Sequence, residues 1–165
     1  MKFSEKPKKI LFVTGTRADF GKIEPLANSI NSENFEISFF ITGMHMLKRY
    51  GETKNEVKKF PNAKFFEYVN QKDDDSLDYI LTKTISGFSD LVHELKPDLV
   101  IIDYVDLLSS RRKNRERKDE IDDIYSSTKG LARQLDIPIW SVSQVNRAGA
   151  QDKIIEGDKA AGSYD

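Results

Sequence analysis

The loop from Val13 to Lys22, VTGTRADFGK, holds residue types that suit phosphate binding. Its glycines permit a tight strand-to-helix turn, the N-terminus of a following helix favours an anion, and Arg17 can add a bidentate contact. An ATPase phosphate loop requires G-x-x-x-x-G-K followed by Ser or Thr. Here five residues separate the glycines and an isoleucine follows the lysine, which excludes that loop. Two alternatives remain: an anion site of another kind, or a plain turn at Gly15 with Arg17 and Asp19 paired at the surface.

The elements that would position this loop are visible as apolar runs that alternate with helical patterns. The strand-like runs are Lys8–Gly15, Phe35–Gly43, Lys64–Val69, Asp98–Leu108 and Asp136–Gln144. The helix-like segments between them are Lys22–Asn31, His45–Phe60, Leu77–Leu95 and Lys118–Leu135. Asp75 or Ser76 can cap the third helix. The alternation predicts an α/β fold, a three-layer Rossmann-like doubly wound parallel sheet of about five strands in the order 3-2-1-4-5.

Ligands of such sheets bind beyond the carboxyl ends of the strands. The polar segments that follow the runs are Gly15–Gly21, Gly43–His45, Asp103–Asp106 and Ser143–Arg147. Taken alone, His45 is read as a partly exposed loop histidine and Asp103 as a strand-end aspartate that pairs locally. Trp140, the single tryptophan, lies mid-strand and is expected in the core. We expect one domain over residues 1–145 and a poorly ordered polar tail over residues 146–165.

Composition narrows the class of protein. The 165 residues carry a net charge of -1, so the chain has no overall basic field for nucleic acid. Basic residues cluster only in RRKNRERK, Arg111–Lys118, which is either a phosphate contact or a solvated loop. The absence of cysteine excludes disulfides, thiolate metal sites and cysteine nucleophiles. With no signal peptide and no apolar run of membrane-spanning length, we expect a cytoplasmic protein without a membrane partner.

The front of the chain resembles a known enzyme family. The segments KILFVTGTRADFGKIEPLANSI, FEISFFITGMHMLKRYGET and VHELKPDLVII are similar to the start of hydrolysing UDP-N-acetylglucosamine (UDP-GlcNAc) 2-epimerases of the sialic- and legionaminic-acid type. The resemblance covers about residues 8–102. It implies half of a two-domain GT-B architecture that binds UDP-GlcNAc or UDP, with Gly15, Arg17, Asp19 and His45 beside the nucleotide sugar.

The resemblance weakens at the fourth strand. Where the epimerases carry an HGDR-like motif, VIIDYVDLL places Asp103 at the histidine position and Val105 at the aspartate position. The family's later acidic and histidine residues and its second domain have no counterpart in these 165 residues. We therefore expect no complete epimerase catalysis from this chain alone.

The back of the chain resembles a second family. KPDLVIIDYVDLL and KGLARQLDIPIWSVSQVNRAGA, within about residues 96–165, are similar to the ATPase core of DnaB-type replicative DNA helicases, especially phage forms. The resemblance implies that Asp103 is the Walker B carboxylate that holds Mg²⁺, and that Gln144 and Arg147 belong to the SQxNR nucleotide site. It further implies ATP and single-stranded DNA as partners. Mg²⁺ is expected only if this half binds ATP, and no other cofactor is expected.

Three functional hypotheses follow. The first is a nucleotide-sugar-binding half-domain (front, about residues 1–98) fused to a helicase-like Walker B and SQxNR segment (back, about residues 99–145), without complete catalysis. The second is an ATP- and DNA-binding fragment of a replicative helicase, and the third is a folded α/β module with no intact site. If the chain is an enzyme, the epimerase reaction is the first expectation and ATP-dependent unwinding the second.

Overall fold

A computed structural model of the chain describes residues 6–30, 33–103 and 117–141. The five strands are β1 (Lys8–Thr14), β2 (Phe35–Ile41), β3 (Ala63–Glu67), β4 (Leu99–Ile102) and β5 (Ile139–Ser141). The helices are α1 (Arg17–Asn28), α2 (Lys54–Val57), α3 (Leu77–Leu95) and α4 (Arg117–Leu135). The chain divides into two compact units, Met1–Ile101 and Ile102–Asp165. The prediction of one domain over residues 1–145 stays a prediction.

The sheet has the predicted topology. Its five strands are parallel and run in the order β3-β2-β1-β4-β5, which confirms the doubly wound α/β fold. The register pairs Lys8 with Phe35 at the start of β1 and Thr14 with Ile41 at its end. The ends of β1 and β2 therefore lie side by side, and the loops that follow them begin at one edge.

The core of the first unit is organised around Phe39 in β2, which is fully buried. Its ring stacks on Phe12 at 5.3 Å between centroids and meets Phe60 edge-on at 5.1 Å. On the other face of β2, Phe40 meets Tyr68 and Phe88, each at 5.9 Å. Both faces of this interior strand are thus covered by aromatic side chains, as the near-continuous apolar run predicts.

Helix α1 begins earlier than the pattern predicted. It starts at Arg17 and not at Lys22, because Thr16 and Asp19 form a capping box that satisfies the first free amides. Two residues expected on buried helix faces are exposed, Leu26 at 42% and Ile85 at 56%.

The segment predicted as a helix from His45 to Phe60 is broken into shorter turns. It contains two 3-10 helices, Gly43–Met46 and Lys48–Tyr50, followed by the four-residue α2. Within it, Gly51 and Glu52 adopt positive φ angles of 80° and 47°, which a continuing right-handed helix does not accommodate.

Three further predictions concern other parts of the chain. Helix α3 has the predicted bounds, but the side chain of its N-cap Ser76 makes no capping hydrogen bond. The prediction that Trp140 lies in the core is wrong, since its side chain is 63% exposed. The predicted tail, residues 146–165, lies outside the described residues. Within the described ranges, the helices are all too short or too polar to cross a membrane.

Candidate functional site

The turn between β1 and α1 is held by the side chain of Asp19. Its Oδ2 accepts hydrogen bonds from the backbone N–H of Gly15 at 3.2 Å and of Thr16 at 2.9 Å. In return, the Thr16 hydroxyl oxygen accepts from the Asp19 N–H at 3.2 Å. The Asp19 carboxylate thus accepts hydrogen bonds from backbone amides of the kind that would bind phosphate in an ATPase loop.

The loop after β2 contacts this turn directly. Gly43 lies so close to Gly15 that a Cβ at position 43 would stand 2.7 Å from the Gly15 carbonyl oxygen. The Thr42 N–H donates to the Thr14 carbonyl at 3.1 Å, and the His45 N–H donates to the Gly15 carbonyl at 3.3 Å. The predicted site residues Gly15 and His45 are therefore brought together by backbone contacts.

His45 is fully buried, so the reading of a partly exposed loop histidine is wrong. Its Nε2 lies 2.8 Å from the Thr14 hydroxyl and its Nδ1 lies 2.7 Å from the Thr53 hydroxyl. Burial lowers the pKa of His45 below its usual 6.5, although nearby Asp19 and Glu56 and the Thr16 carbonyl act in the opposite direction. The ring is therefore neutral at neutral pH, and its side chain lies beneath the surface that a ligand would touch.

Arg17 takes the opposite position, at the rim. Its Nε pairs with Glu56 Oε2 at 2.9 Å, and the two side chains are 75% and 41% exposed. The alternative in which Arg17 pairs with Asp19 is not what the structure shows, because Asp19 caps the helix. Such an exposed pair contributes little to stability, so the guanidinium can exchange Glu56 for another anion at small cost.

Asn70 is a further buried polar residue at this candidate site that the sequence did not single out. It is 3% exposed, its Oδ1 accepts from the Gly43 N–H at 3.0 Å, and its Nδ2 donates to the Thr84 hydroxyl at 2.6 Å. It fixes the Gly43 peptide from the end of the third strand. The available signal was its place as the first polar residue after that strand, in a segment read only as a polar loop.

Asp103 directly follows β4 and is partly buried, with both carboxylate oxygens below the surface. Mg²⁺ in nucleotide sites is held by one or two carboxylates, waters and phosphates, so the chemistry of one carboxylate is compatible with this ion, and the role of Asp103 as its ligand stays a prediction. Among the residues described, none form a cluster of three or more acidic, histidine or cysteine groups around a metal position. Gln144, Arg147 and most of Arg111–Lys118 lie outside the described residues.

A shallow open depression lies at the opposite edge, away from these residues. Its lining includes Phe35, Glu36, Asn62 and Lys64, at the amino ends of β2 and β3. Ligands of doubly wound sheets bind at the carboxyl ends, so shape alone does not select this depression as the functional site.

A family model described as the DnaB-like helicase C terminal domain matches residues 27–154. The chain belongs to this family. Curated relatives bear out both resemblances. The chain is 42% identical over 96 residues to UDP-N-acetylglucosamine 2-epimerase of Neisseria meningitidis serogroup B, covering 58% of this chain and 26% of the relative. It is 28% identical over 107 residues to replicative DNA helicase DnaB of Rickettsia typhi, covering 65% of this chain and 20% of the relative.

The fold of this DnaB-family chain is nevertheless similar to that of epimerases. The crystal structure of UDP-GlcNAc 2-epimerase from Neisseria meningitidis bound to UDP-GlcNAc matches 94% of this chain and 38% of its own, with a TM-score of 0.54 and 19% identity. The chain spans about a quarter of the length of the curated epimerase it matches. The helicase-family match and the epimerase resemblance overlap in the front of the chain.

Proposed function

We propose that the front of this chain is a nucleotide-sugar-binding half-domain of the UDP-GlcNAc 2-epimerase type, with UDP-GlcNAc or UDP as its ligand. The observation that carries the proposal is the exposed Arg17 guanidinium at the start of α1, beside the Gly15 turn. Guanidinium groups bind phosphate through paired hydrogen bonds, and the positive end of a helix favours the same charge. The Neisseria epimerase structure, which has the same fold, is bound to UDP-GlcNAc.

In this proposal the remaining predicted residues have distinct tasks. Gly15 lets the backbone turn close to the ligand, and Asp19 holds that turn through the amides of Gly15 and Thr16. His45 supports the turn from below, since its ring is buried. Of these four residues, Arg17 is the one that we expect to contact the diphosphate through its side chain.

We further propose that the front joins a helicase-like back at β4, and that catalysis is incomplete. KPDLVII fits a strand of either family, so one parallel strand can replace another without disturbing the five-stranded order. Asp103 and Val105 stand where the epimerase motif has histidine and aspartate. We therefore expect binding of UDP-GlcNAc without release of UDP.

Isothermal titration calorimetry of the full chain with UDP-GlcNAc and with UDP tests the proposal. Arg17→Ala should weaken UDP binding about tenfold to hundredfold, the range of a lost charge-assisted hydrogen bond. Arg49→Ala is the matched control, since Arg49 also forms an exposed ion pair, with Asp73 at 3.1 Å. Equal affinity in the wild type and Arg17→Ala, or an equal loss in both variants, would contradict a specific role for Arg17.

A second function is favoured by the helicase-family match over residues 27–154. It is an ATP- and single-stranded-DNA-binding fragment in which Asp103 holds the Mg²⁺ of ATP, with Gln144 and Arg147 contributing to the nucleotide site. Magnesium-dependent ATP binding that Asp103→Asn abolishes would support it. Failure to bind UDP-GlcNAc, UDP, ATP with Mg²⁺ and single-stranded DNA would leave a folded module with no intact site.

A further inference from the structure

The ring of His45 connects three segments that are distant in sequence. Through Nε2 it reaches the end of β1 at Thr14, and through Nδ1 it reaches Thr53 at the start of α2. Its own backbone N–H donates to the Gly15 carbonyl. One buried side chain therefore joins the turn that carries the predicted site to the N-cap of α2, the short helix that contains Glu56, the partner of Arg17.

The hydrogen-bond partners favour one placement of the ring proton. A neutral imidazole has one donor nitrogen and one acceptor nitrogen, and a hydroxyl has a single proton to donate. The Thr14 hydroxyl donates to the Thr16 carbonyl at 3.3 Å, so its oxygen is left to accept from Nε2–H. Nδ1 is then the acceptor, and the Thr53 hydroxyl donates to it.

We propose that Thr53 is a positioning residue that fixes His45 as the Nε2–H tautomer and thereby holds the Thr14–Thr16 turn against the loop of Gly43. Without the Thr53 proton, Nδ1 would be a buried acceptor with no donor, a state that costs stability. The ring would then exchange tautomer or rotate, and its bond to Thr14 would weaken. The consequence for ligand affinity rests on the proposed function, whereas the consequence for the ring does not.

Nuclear magnetic resonance of the isotope-labelled full chain tests the tautomer directly. The chain has two histidines, and His93 is an internal reference because we expect it to have the opposite tautomer to His45. Its Nδ1 lies 2.8 Å from the Ser89 carbonyl, which only accepts, so Nδ1 of His93 must be a donor. Ring-nitrogen correlations should therefore show the proton on Nε2 in His45 and on Nδ1 in His93. A wild-type spectrum with the proton on Nδ1 of His45 overturns the proposal, whatever the variants do.

Thr53→Val removes the donor at nearly constant volume, and Thr53→Ser keeps it. The Val variant should lose the single Nε2–H form and exchange the His45 amide about tenfold faster, the effect of losing one ordinary hydrogen bond. The Ser variant should match the wild type in both measurements. A Val variant with an unchanged ring spectrum and unchanged exchange overturns the proposal.

Titration of the same proteins with UDP-GlcNAc separates this proposal from the proposed function. If the wild type binds, Thr53→Val should bind about tenfold more weakly while Thr53→Ser binds normally. Wild-type affinity in the Val variant would overturn the positioning role. If the wild type does not bind, the proposed function fails, and the ring spectra of the three proteins still decide whether Thr53 fixes His45.

Discussion

Replacing Gly43 by alanine tests whether the close contact between the loops after β1 and β2 is required for folding. Gly43 has a φ of 61°, and an added Cβ would stand 2.7 Å from the Gly15 oxygen and 3.1 Å from the Gly15 Cα. Both neighbouring atoms belong to backbone, so no side chain can swing away. The strain must be relieved by moving the turn that Asp19 and His45 hold.

The expected magnitude has two parts. A non-glycine residue in the left-handed region costs about 1–2 kcal/mol, and overpacking that forces a backbone shift costs about 1–3 kcal/mol more. Gly51 supplies a matched control, because its φ is 80° and an added Cβ would meet nothing within 4 Å. Gly43→Ala should therefore lower the free energy of unfolding by about 2–5 kcal/mol, and Gly51→Ala by about 1–2 kcal/mol.

Urea unfolding followed by far-ultraviolet circular dichroism measures both variants against the wild type. Gly21→Ala adds a second control inside α1, where a Cβ also meets nothing within 4 Å and helix propensity favours alanine. If Gly43→Ala destabilises the chain no more than Gly51→Ala, the contact with Gly15 is not a packing constraint. That result would show that the contact between Gly43 and Gly15 does not hold the loops after β1 and β2 in place.

Three other perturbations have defined outcomes. Gly87→Ala should destabilise the protein by about 1–3 kcal/mol, because its Cβ would overlap the Tyr68 ring. In a Tyr68→Ala background the same change should stabilise the protein by about 0.5–1 kcal/mol, since alanine favours a helix. Urea unfolding of the four proteins measures this double-mutant cycle, and an equal loss in both backgrounds would exclude the overlap. Burial lowers the pKa of His45, so as pH falls the unfolded chain binds a proton before the folded chain does, and the free energy of unfolding should fall below about pH 6.5. The urea midpoint of His45→Gln should lack this pH dependence. If the variant and the wild type have the same pH dependence, another group is responsible for it. Glu56→Gln should change the free energy of unfolding by less than about 1 kcal/mol, because the ion pair is exposed. It should tighten UDP binding several-fold, since the Glu56 carboxylate no longer competes with phosphate for Arg17. Weaker binding in calorimetry would mean that Glu56 orients Arg17 instead.

The fold was predictable from the sequence because its signals are local. The strands follow apolar runs, and α3 ends where Lys96 precedes Pro97, so its bounds agree with the prediction. The segment after β2 was mispredicted because its apolar spacing continues across Gly51 and Glu52, whose positive φ angles interrupt the helix. The packing of Gly43 on Gly15 just before it is a contact between two segments, which a pattern in one segment does not record.

The assignment of the candidate site residues to a ligand site stays a prediction, and their local contacts could not be read from the sequence. The resemblance to the epimerases supplied Arg17, Asp19 and His45, and the structure brings them to adjacent turns. Burial and pairing decide what each does, and these depend on residues such as Thr53 and Asn70 that no motif included. A buried amide whose partners come from two other segments cannot be recognised without the tertiary fold.

These roles together change how the loop can bind an anion. In an ATPase loop the backbone amides surround the phosphate, whereas here the Asp19 carboxylate already accepts from those of Gly15 and Thr16. His45 is buried, so it supports the turn without facing outward. Under the proposed function, the diphosphate must then be held mainly by Arg17 at the exposed rim. Under the same proposal the loop mainly positions one guanidinium, and we expect specificity to depend on the geometry around Arg17 more than on the number of donors.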